Sequence, residues 1–424
     1  MTTAQFAPAR SAVASATLLL MLCHGMAAHA FEVDTGDPDL KLRWDNTFKY
    51  TLAQRLKNPD QTVAASIPAP LGGSGNPNVD FGDLNFNQGL INNRIDLLSE
   101  LDLSWKKQFG FRLSGAAWYD EVYNQGHLDF PTENPYALLP NNRAALEGGA
   151  NNRMSRSAKD LMGRQAEVSD AFVYGSTEFD NGMKLSGRLG RHSLLYGESL
   201  FLGANGIAAA QGPVDLIKAY SLPNAQFKEI GLPVNQLSTN LQVDSNLSLG
   251  AYYQFEWRPL RLPAAGSYFS PADFVGEGAD LLLTPTGGAA NRVSDLKGRD
   301  SGQFGVAMRY NFEPLDTEFG AYFMNYHSRT PTVGTLTANT NLATIGRIIN
   351  TANALAPGSG GGLAQSTMLG RGQYYLDYPE DIRLFGASFS TTLPTGTAWT
   401  GEISYRPNAP VQLSAVLRPR PLFD

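Results

Sequence analysis

The chain has 424 residues and a formal net charge of −6, from 33 Lys and Arg against 39 Asp and Glu. It has no basic tract and a pI near 5.5, so it offers nucleic acid no electrostatic footprint. Its one cysteine, Cys23, falls in an N-terminal leader, so the mature chain has no disulfide, no thiol nucleophile and no thiolate metal site. Mean hydropathy is −0.22, and no mature segment approaches about 18 consecutive apolar residues. That excludes a helical membrane protein but not one built of strands, which hides its apolar residues at every second position.

Residues 1–30 read as a secretory signal peptide. Arg10 gives the positive start, Val13 to Leu22 the apolar run, and Ala28-His29-Ala30 the small residues before a cleavage at Phe31. The run is too short to cross about 30 Å of hydrocarbon as a helix. Leu22 and His24 do not give Cys23 the Leu-x-small setting of a lipidated cysteine. One exported domain, 31–424, remains.

Between 39 and 52, Leu40, Leu42, Trp44, Asn46, Phe48, Tyr50 and Leu52 alternate with Lys41, Arg43, Asp45, Thr47, Lys49 and Thr51. Side chains alternate faces along a strand, so this segment has one apolar and one charged face. Its length suits a tilted bilayer crossing of about 9–11 residues.

Hairpins follow. Ile95, Leu97, Leu101, Leu103 and Trp105 oppose Arg94, Asp96, Glu100 and Asp102. A tight Lys106-Lys107-Gln108 connection leads to Phe109, Phe111, Leu113, Ala117 and Tyr119, with Arg112 and Ser114 on the other face. The second hairpin joins 168–179 to 183–189 through Asp180-Asn181-Gly182, where Asn and Gly both tolerate positive φ. A third joins 234–243 to 247–257 through Asp244-Ser245-Asn246. The fourth joins Phe304, Val306, Met308, Tyr310 and Phe312 to Phe319, Ala321 and Phe323. The last joins Phe385, Ala387 and Phe389 to Trp399, Ile403 and Tyr405 across Leu393-Pro394-Thr395-Gly396.

Long stretches rich in Gly, Pro, Asn and Ser separate the hairpins, at 53–90, 120–167, 192–233, 258–302 and 328–380. Loops of that length are uncommon in a compact soluble domain. A soluble sandwich or solenoid would show tight turns at both ends or a fixed repeat. The expected fold is therefore all-β: a transmembrane antiparallel β-barrel of outer-membrane type, with short periplasmic turns and long extracellular loops. Trp44, Trp105, Tyr119, Trp257, Tyr326, Trp399 and Tyr405 are the expected interfacial aromatics. This reading gives about eleven strands, whereas such barrels close with an even number. Val411, Leu413, Ala415 and Leu417 suggest a short twelfth, and Asp424 is not the usual terminal aromatic. The expectation is a barrel whose last strands are missing.

From about Glu167 onward the chain resembles the Gram-negative outer-membrane proteins grouped as domain of unknown function 1302. The resemblance runs through Asp170-Ala171-Phe172-Val173-Tyr174-Gly175-Ser176, Arg188-Leu189-Gly190-Arg191, Tyr196-Gly197-Glu198-Ser199, Pro213-Val214-Asp215 and Phe227-Lys228-Glu229. It continues through Tyr253-Gln254-Phe255-Glu256-Trp257, Tyr268-Phe269-Ser270 and Asp273-Phe274-Val275-Gly276. The last stretches are 378–383 and 401–408, the latter opening Gly401-Glu402-Ile403. The family usually has Trp where this chain has Tyr196, and Asn where it has Gly212. The resemblance implies an outer-membrane barrel with a part in moving hydrophobic compounds. It also implies a periplasmic partner and an inner-membrane exporter of lipid type, but no reaction or substrate.

If the apolar faces meet outer-membrane lipid, then Lys41, Arg43, Asp45, Lys49, Arg94, Asp96, Glu100, Asp102, Arg112, Arg188 and Glu256 face a lumen. There they can set selectivity, or pair across strands as buried ions usually do. Arg191 and Glu198 carry opposite charges near a strand end, and with Asp215 they mark a segment that either folds inward as a gate or stays at the surface, anchored by one ion pair. A lipid hydrolase needs Ser and His within hydrogen-bond reach. His127, His192 and His327 are the mature histidines, no Gly-x-Ser-x-Gly occurs, and none is spaced for a metal. Neither catalysis nor a cofactor is expected. The reading is a conduit for apolar or amphipathic small molecules, against a structural or adhesive surface protein and, behind both, a lipid hydrolase.

Overall fold

The computed structural model of the chain describes residues 31–59, 78, 81–125, 153–199, 206–283, 289–336, 342–358, 372–412 and 417–418. The leader and His127 lie outside them. The strands in chain order are β1 (Phe31–Val33), β2 (Leu40–Arg55), β3 (Gly89–Trp105), β4 (Phe109–Asp120), β5 (Arg164–Glu178) and β6 (Lys184–His192). Then come β7 (Val234–Gln242), β8 (Leu247–Gln254), β9 (Leu281–Leu283), β10 (Ala289–Arg292), β11 (Gln303–Phe312) and β12 (Thr317–Tyr326). The last are β13 (Thr332–Leu336), β14 (Gln373–Asp377), β15 (Ile382–Thr392), β16 (Ala398–Tyr405) and β17 (Leu417–Arg418).

The chain is mostly β. Twelve strands form one antiparallel sheet in the order β1-β2-β3-β4-β5-β6-β7-β8-β11-β12-β15-β16, which holds every strand expected from the alternation. Its edges, β1 and β16, do not pair with each other, so the sheet is not closed. The twelfth strand of this sheet is β1, whose Phe31–Val33 pairs with Trp44–Leu42. Of the expected strand at 411–417, Leu413 and Ala415 lie outside the described residues; Val411 and Gln412 are in no strand, and the Gln412 side chain accepts from Val333 N of β13 at 2.7 Å. Leu417–Arg418 then pairs with Thr335 and Leu336 in a second sheet, ordered β17-β13-β14-β10-β9.

Tight turns occupy one end of the large sheet and long connections the other. In the three-residue β3–β4 connection Gln108 N donates to Trp105 O, and both Lys106 and Lys107 have positive φ, 52° and 58°, as the central residues of a type I′ turn do. In the β5–β6 turn only Gly182 does, at 83°. Asn181 instead uses its side chain, accepting from Met183 N at 3.2 Å. The long connections pack on one another through Phe86, Ile91, Tyr123, Met154, Met162 and Ile217.

The two faces of the large sheet differ. On the outer face Phe48, Tyr50, Leu52, Leu249, Val306, Met308, Phe319 and Ile403 are all exposed. Phe323 bridges Phe304 at 6.1 Å and Phe385 at 5.1 Å across β11, β12 and β15. Trp44, Trp105, Tyr119, Trp399 and Tyr405 are exposed as expected of girdle residues, but Trp257 and Tyr326 are buried. Trp257 turns inward past the end of β8 and stacks edge-on against Tyr378 at 4.9 Å, whereas Tyr326, still within β12, falls on the inner face by alternation and joins a core with Tyr322, Met324 and Leu384. The inner face is thus not uniformly polar. From β2 to β5 it is charged; at β12 and β15 it is apolar.

Candidate functional site

Among the described residues, the inner face is filled by the chain's own connections, chiefly 193–199 and 206–233 between β6 and β7. On β2, Lys49 Nζ donates to Glu229 at 2.6 Å. On β3, Glu100 accepts from Lys228 of the same connection at 3.3 Å and also pairs with Arg112 on β4. At the far edge, the Glu402 carboxylate on β16 accepts from the backbone nitrogens of Glu198 at 2.6 Å, Ser199 at 3.1 Å and Ile207 at 3.0 Å. Laid flat, the strands from β2 to β16 would span roughly 48 Å at the usual inter-strand spacing. The connection is folded back on itself, Leu232 N donating to Pro213 O. One compact segment touches both sides, so the sheet curls around it. We call this segment the plug.

The plug is zipped to the next connection at Asp215. Asp215 N donates to Ile230 O, Leu216 N to Arg261 O and Arg261 N to Val214 O. The Asp215 carboxylate, fully buried, caps the helix Leu216–Ser221 by accepting from Lys218 N at 3.0 Å. It also accepts from Arg261 at 2.8 Å, and Arg261 forks onto Glu167 of β5 at 2.8 and 2.5 Å. Burial works against the Arg261 charge, but the two carboxylates outweigh it and hold the guanidinium above its usual range. Trp118 on β4 lies under three cations: Lys218 Nζ at 4.9 Å, Arg94 at 5.1 Å and Arg261 at 5.6 Å from the ring. Cations docked on an indole face in a desolvated site add attraction that neither charge pairing nor packing supplies alone.

Near the long-connection end, buried Arg329 is held without a carboxylate. It donates to Gln254 Oε1 at 2.7 Å, Gln303 Oε1 at 3.3 Å and Arg258 O at 3.2 Å, and burial pushes its guanidinium down to about 10. His327 is also turned inward here rather than outward along its strand. Its Nε2 meets Ser301 O at 2.8 Å and its Nδ1 accepts from Asp381 N at 3.0 Å, so both ring nitrogens are engaged with backbone. His192 Nε2 lies 2.8 Å from Ser238 Oγ, buried between β6 and β7, and Nδ1 faces Gly190 O.

Two chambers remain between plug and wall. One, about 430 Å³, lies among Asp102, Arg112, Phe172, Tyr174, Arg188 and Phe227. The other, about 750 Å³, reaches the tight-turn end at Lys107, Lys184 and Glu318, and shares Tyr174, Arg188 and Leu195 with the first.

Most of the predicted charged residues pair on the inner face. Arg94 meets Asp96 at 2.7 Å, Arg43 meets Asp45 at 2.7 Å, and Lys41 meets Glu32 of β1 at 3.5 Å. Arg188 has no ion pair among the described residues; its guanidinium lies 5.7 Å over the Phe172 ring. Arg191 shares the outward register of Leu189, at the rim, and pairs with Glu256 at 3.1 Å, not with Glu198. Glu256 also sits at the rim, past the end of β8, accepting from Asn235 N at 3.0 Å. Glu198 meets the wall through its backbone; burial raises its carboxyl above the usual range. Sequence reasoning passed over Arg261, Trp118 and Arg329. In the sequence Glu167 stands out only as the point where the resemblance begins, and Glu402 only inside one of its stretches.

Geometry therefore defines the class: a mostly β chain whose large antiparallel sheet curls around its own connections. The chain belongs to the family described as Protein of unknown function (DUF1302), whose profile matches residues 11–418. No curated protein matches it in sequence. Several of the shared stretches meet at the plug contacts: 196–199 with 401–403, and 227–229 with β2 and β3. The two departures are accommodated. Tyr196 packs against Tyr252 and Tyr322 at about 6 Å, and a Cβ on Gly212 would have only Leu232 O within 4 Å, at 3.9 Å.

Proposed function

We propose that the chain is an outer-membrane β-barrel that passes apolar or amphipathic small molecules around an internal plug. One observation carries this reading: apolar side chains stand open over the outer face of the large sheet, while from β2 to β5 charged ones are buried on its inner face, the opposite of a water-soluble protein. Val306 and Met308 stand open on the outer face, whereas Arg94, Asp96 and Glu100 are buried on the inner one. A continuous apolar face of this size needs a cover. Lipid supplies one and accounts for apolar residues at every second position. Pairing the two sheet edges around the plug would leave no open edge in hydrocarbon.

In this reading the tight turns are periplasmic and the long connections extracellular. The chambers at the tight-turn end open where a periplasmic partner, fed by an inner-membrane exporter, would deliver or collect cargo. The test begins with fractionation: the protein is expected with the outer membrane, with heat-modifiable gel mobility. Uptake of an apolar fluorescent solute into liposomes is then compared with and without the purified protein. Liposomes that stay impermeable to every solute tried would end the conduit reading and leave the structural or adhesive one.

A further inference from the structure

The two chambers beside the plug have an unbalanced lining. In the larger, Arg309 is matched by Glu318 at 3.5 Å, but Lys107, Lys184 and Arg188 have no carboxylate within ion-pair distance among the described residues. In the smaller, Arg112 and Lys228 are matched by Glu100, and Asp102 is taken up by Arg112 and by the Tyr174 hydroxyl at 3.0 Å. Asp170 is the remaining acid there, and it accepts from Ser114 Oγ at 3.1 Å. A chain of formal charge −6 therefore turns an excess of free cations into its chambers.

Arg188 stands where the chambers meet and lines both. Its guanidinium carbon lies 5.7 Å from the centre of the Phe172 ring, and the residue is exposed. Beside it lie Leu195 and Phe227 of the plug, and Tyr174 of the wall. A guanidinium beside an aromatic ring, with no carboxylate paired to it, keeps its planar donor edge available for a carboxylate or phosphate-like oxygen pair. The neighbouring rings and leucine suit an apolar tail.

We infer that the chamber at Arg188 binds an anionic amphipath, its head on Arg188 and its tail between Phe172, Leu195 and Phe227. This rests on the conduit reading only for its biological meaning, since it gives the cargo a charge and places its station on the turn side of the plug.

The full-length mature protein in lipid nanodiscs is titrated calorimetrically with octanoate, against empty nanodiscs as blank. Octyltrimethylammonium and inorganic phosphate are the comparison probes. Octanoate is expected to bind saturably, and each comparison probe roughly tenfold more weakly or worse. Arg188→Gln is expected to lose at least about tenfold in octanoate affinity, and Arg188→Lys, which keeps the charge but not the planar donor pair, an intermediate amount, about threefold to tenfold. Octanoate binding unchanged by Arg188→Gln would overturn the site, as would equal binding of the cationic amphipath. Phosphate binding as tightly as octanoate would overturn the role of the tail. If octanoate binds through Arg188 but liposomes remain impermeable, the conduit reading falls and the site stands.

Discussion

The Glu402 carboxylate, on the last strand of the large sheet, lies 2.6 Å from the backbone nitrogen of Glu198, 204 residues earlier. Two glycines make that approach possible. A Cβ on Gly197, whose φ is +95°, would fall 2.5 Å from Glu402 Oε2, and a Cβ on Gly206 would fall on Oε1. Glu402→Gln replaces one accepting oxygen with a donor that faces backbone N–H groups. It is expected to cost roughly 1.5–3 kcal/mol locally, the range for hydrogen bonds to a charged group. Gly197→Ala adds backbone strain of about 1–2 kcal/mol at the same contact. Both should leave heat-modifiable mobility intact while making 193–212 sensitive to protease and raising conductance in planar bilayers. Wild-type protease resistance in both variants would mean that this contact does not hold the plug.

Arg261 has a different task, since it neutralises Asp215 and Glu167 at once. Arg261→Met removes the cation shared by buried Asp215 and half-buried Glu167, and breaking such a pair costs about 3–5 kcal/mol. Hydrogen exchange at Leu216, whose N–H donates to Arg261 O, reports on this zip directly. Exchange there should accelerate strongly in Arg261→Met. Adding Glu167→Gln should restore part of the protection, because one unpaired charge is then gone. If the double variant is as open as the single, charge compensation is not what Arg261 provides.

The strands were legible because period-two alternation is a local signal: Leu247, Leu249, Ala251 and Tyr253 need no knowledge of their neighbours to declare a face. Trp257 misled because it turns inward past the end of β8, where the alternation stops applying, whereas Tyr326 obeys the alternation of β12 and shares the inner face of Tyr322 and Met324. The apolar patch of Tyr322, Met324 and Leu384 was invisible for another reason. An inner face opposite an apolar outer face reads as noise until the plug residue Ile207 is placed against it. Asp215 stood out within a matching stretch, but its partner Arg261 has no local pattern. Contacts such as Lys49 to Glu229, 180 residues apart, are set by how the sheet curls. No window along the chain contains them.

Acid should loosen one corner of the plug. Burial pushes the Glu229 carboxyl up, but the Lys49 ammonium and the Gln226 N–H outweigh it and leave it below the ordinary glutamate value of 4.5. A lowered carboxylate contributes stability that is complete above the unfolded value and is lost as pH falls through the folded one. The hold of Glu229 on Lys49 should therefore be constant from about pH 5 to 8 and weaken below about pH 4.5. Glu198 acts in the opposite sense, since burial raises its carboxyl and protonation on acidification favours the folded form. Hydrogen exchange at Gly231, measured down to pH 3.5, should show an acid step that Glu229→Gln abolishes. The step persisting in that variant would assign it to another group.

Val306 tests the membrane reading itself. It sits in mid-strand on the outer face of β11, 47% exposed, with Ala251 and Phe323 as its register partners. Facing water, Val306→Arg would change stability by no more than about 0.5 kcal/mol, as for most surface substitutions. Facing the bilayer midplane, an arginine costs about 2–4 kcal/mol. Leu315→Arg is the control, because Leu315 is also exposed but lies in the tight β11–β12 turn, outside the apolar band. Reversible urea unfolding in liposomes should show Val306→Arg destabilised by that amount, or unable to insert, with Leu315→Arg close to wild type. Equal stability of the two variants would mean that β11 does not face lipid, and the barrel reading would go with it.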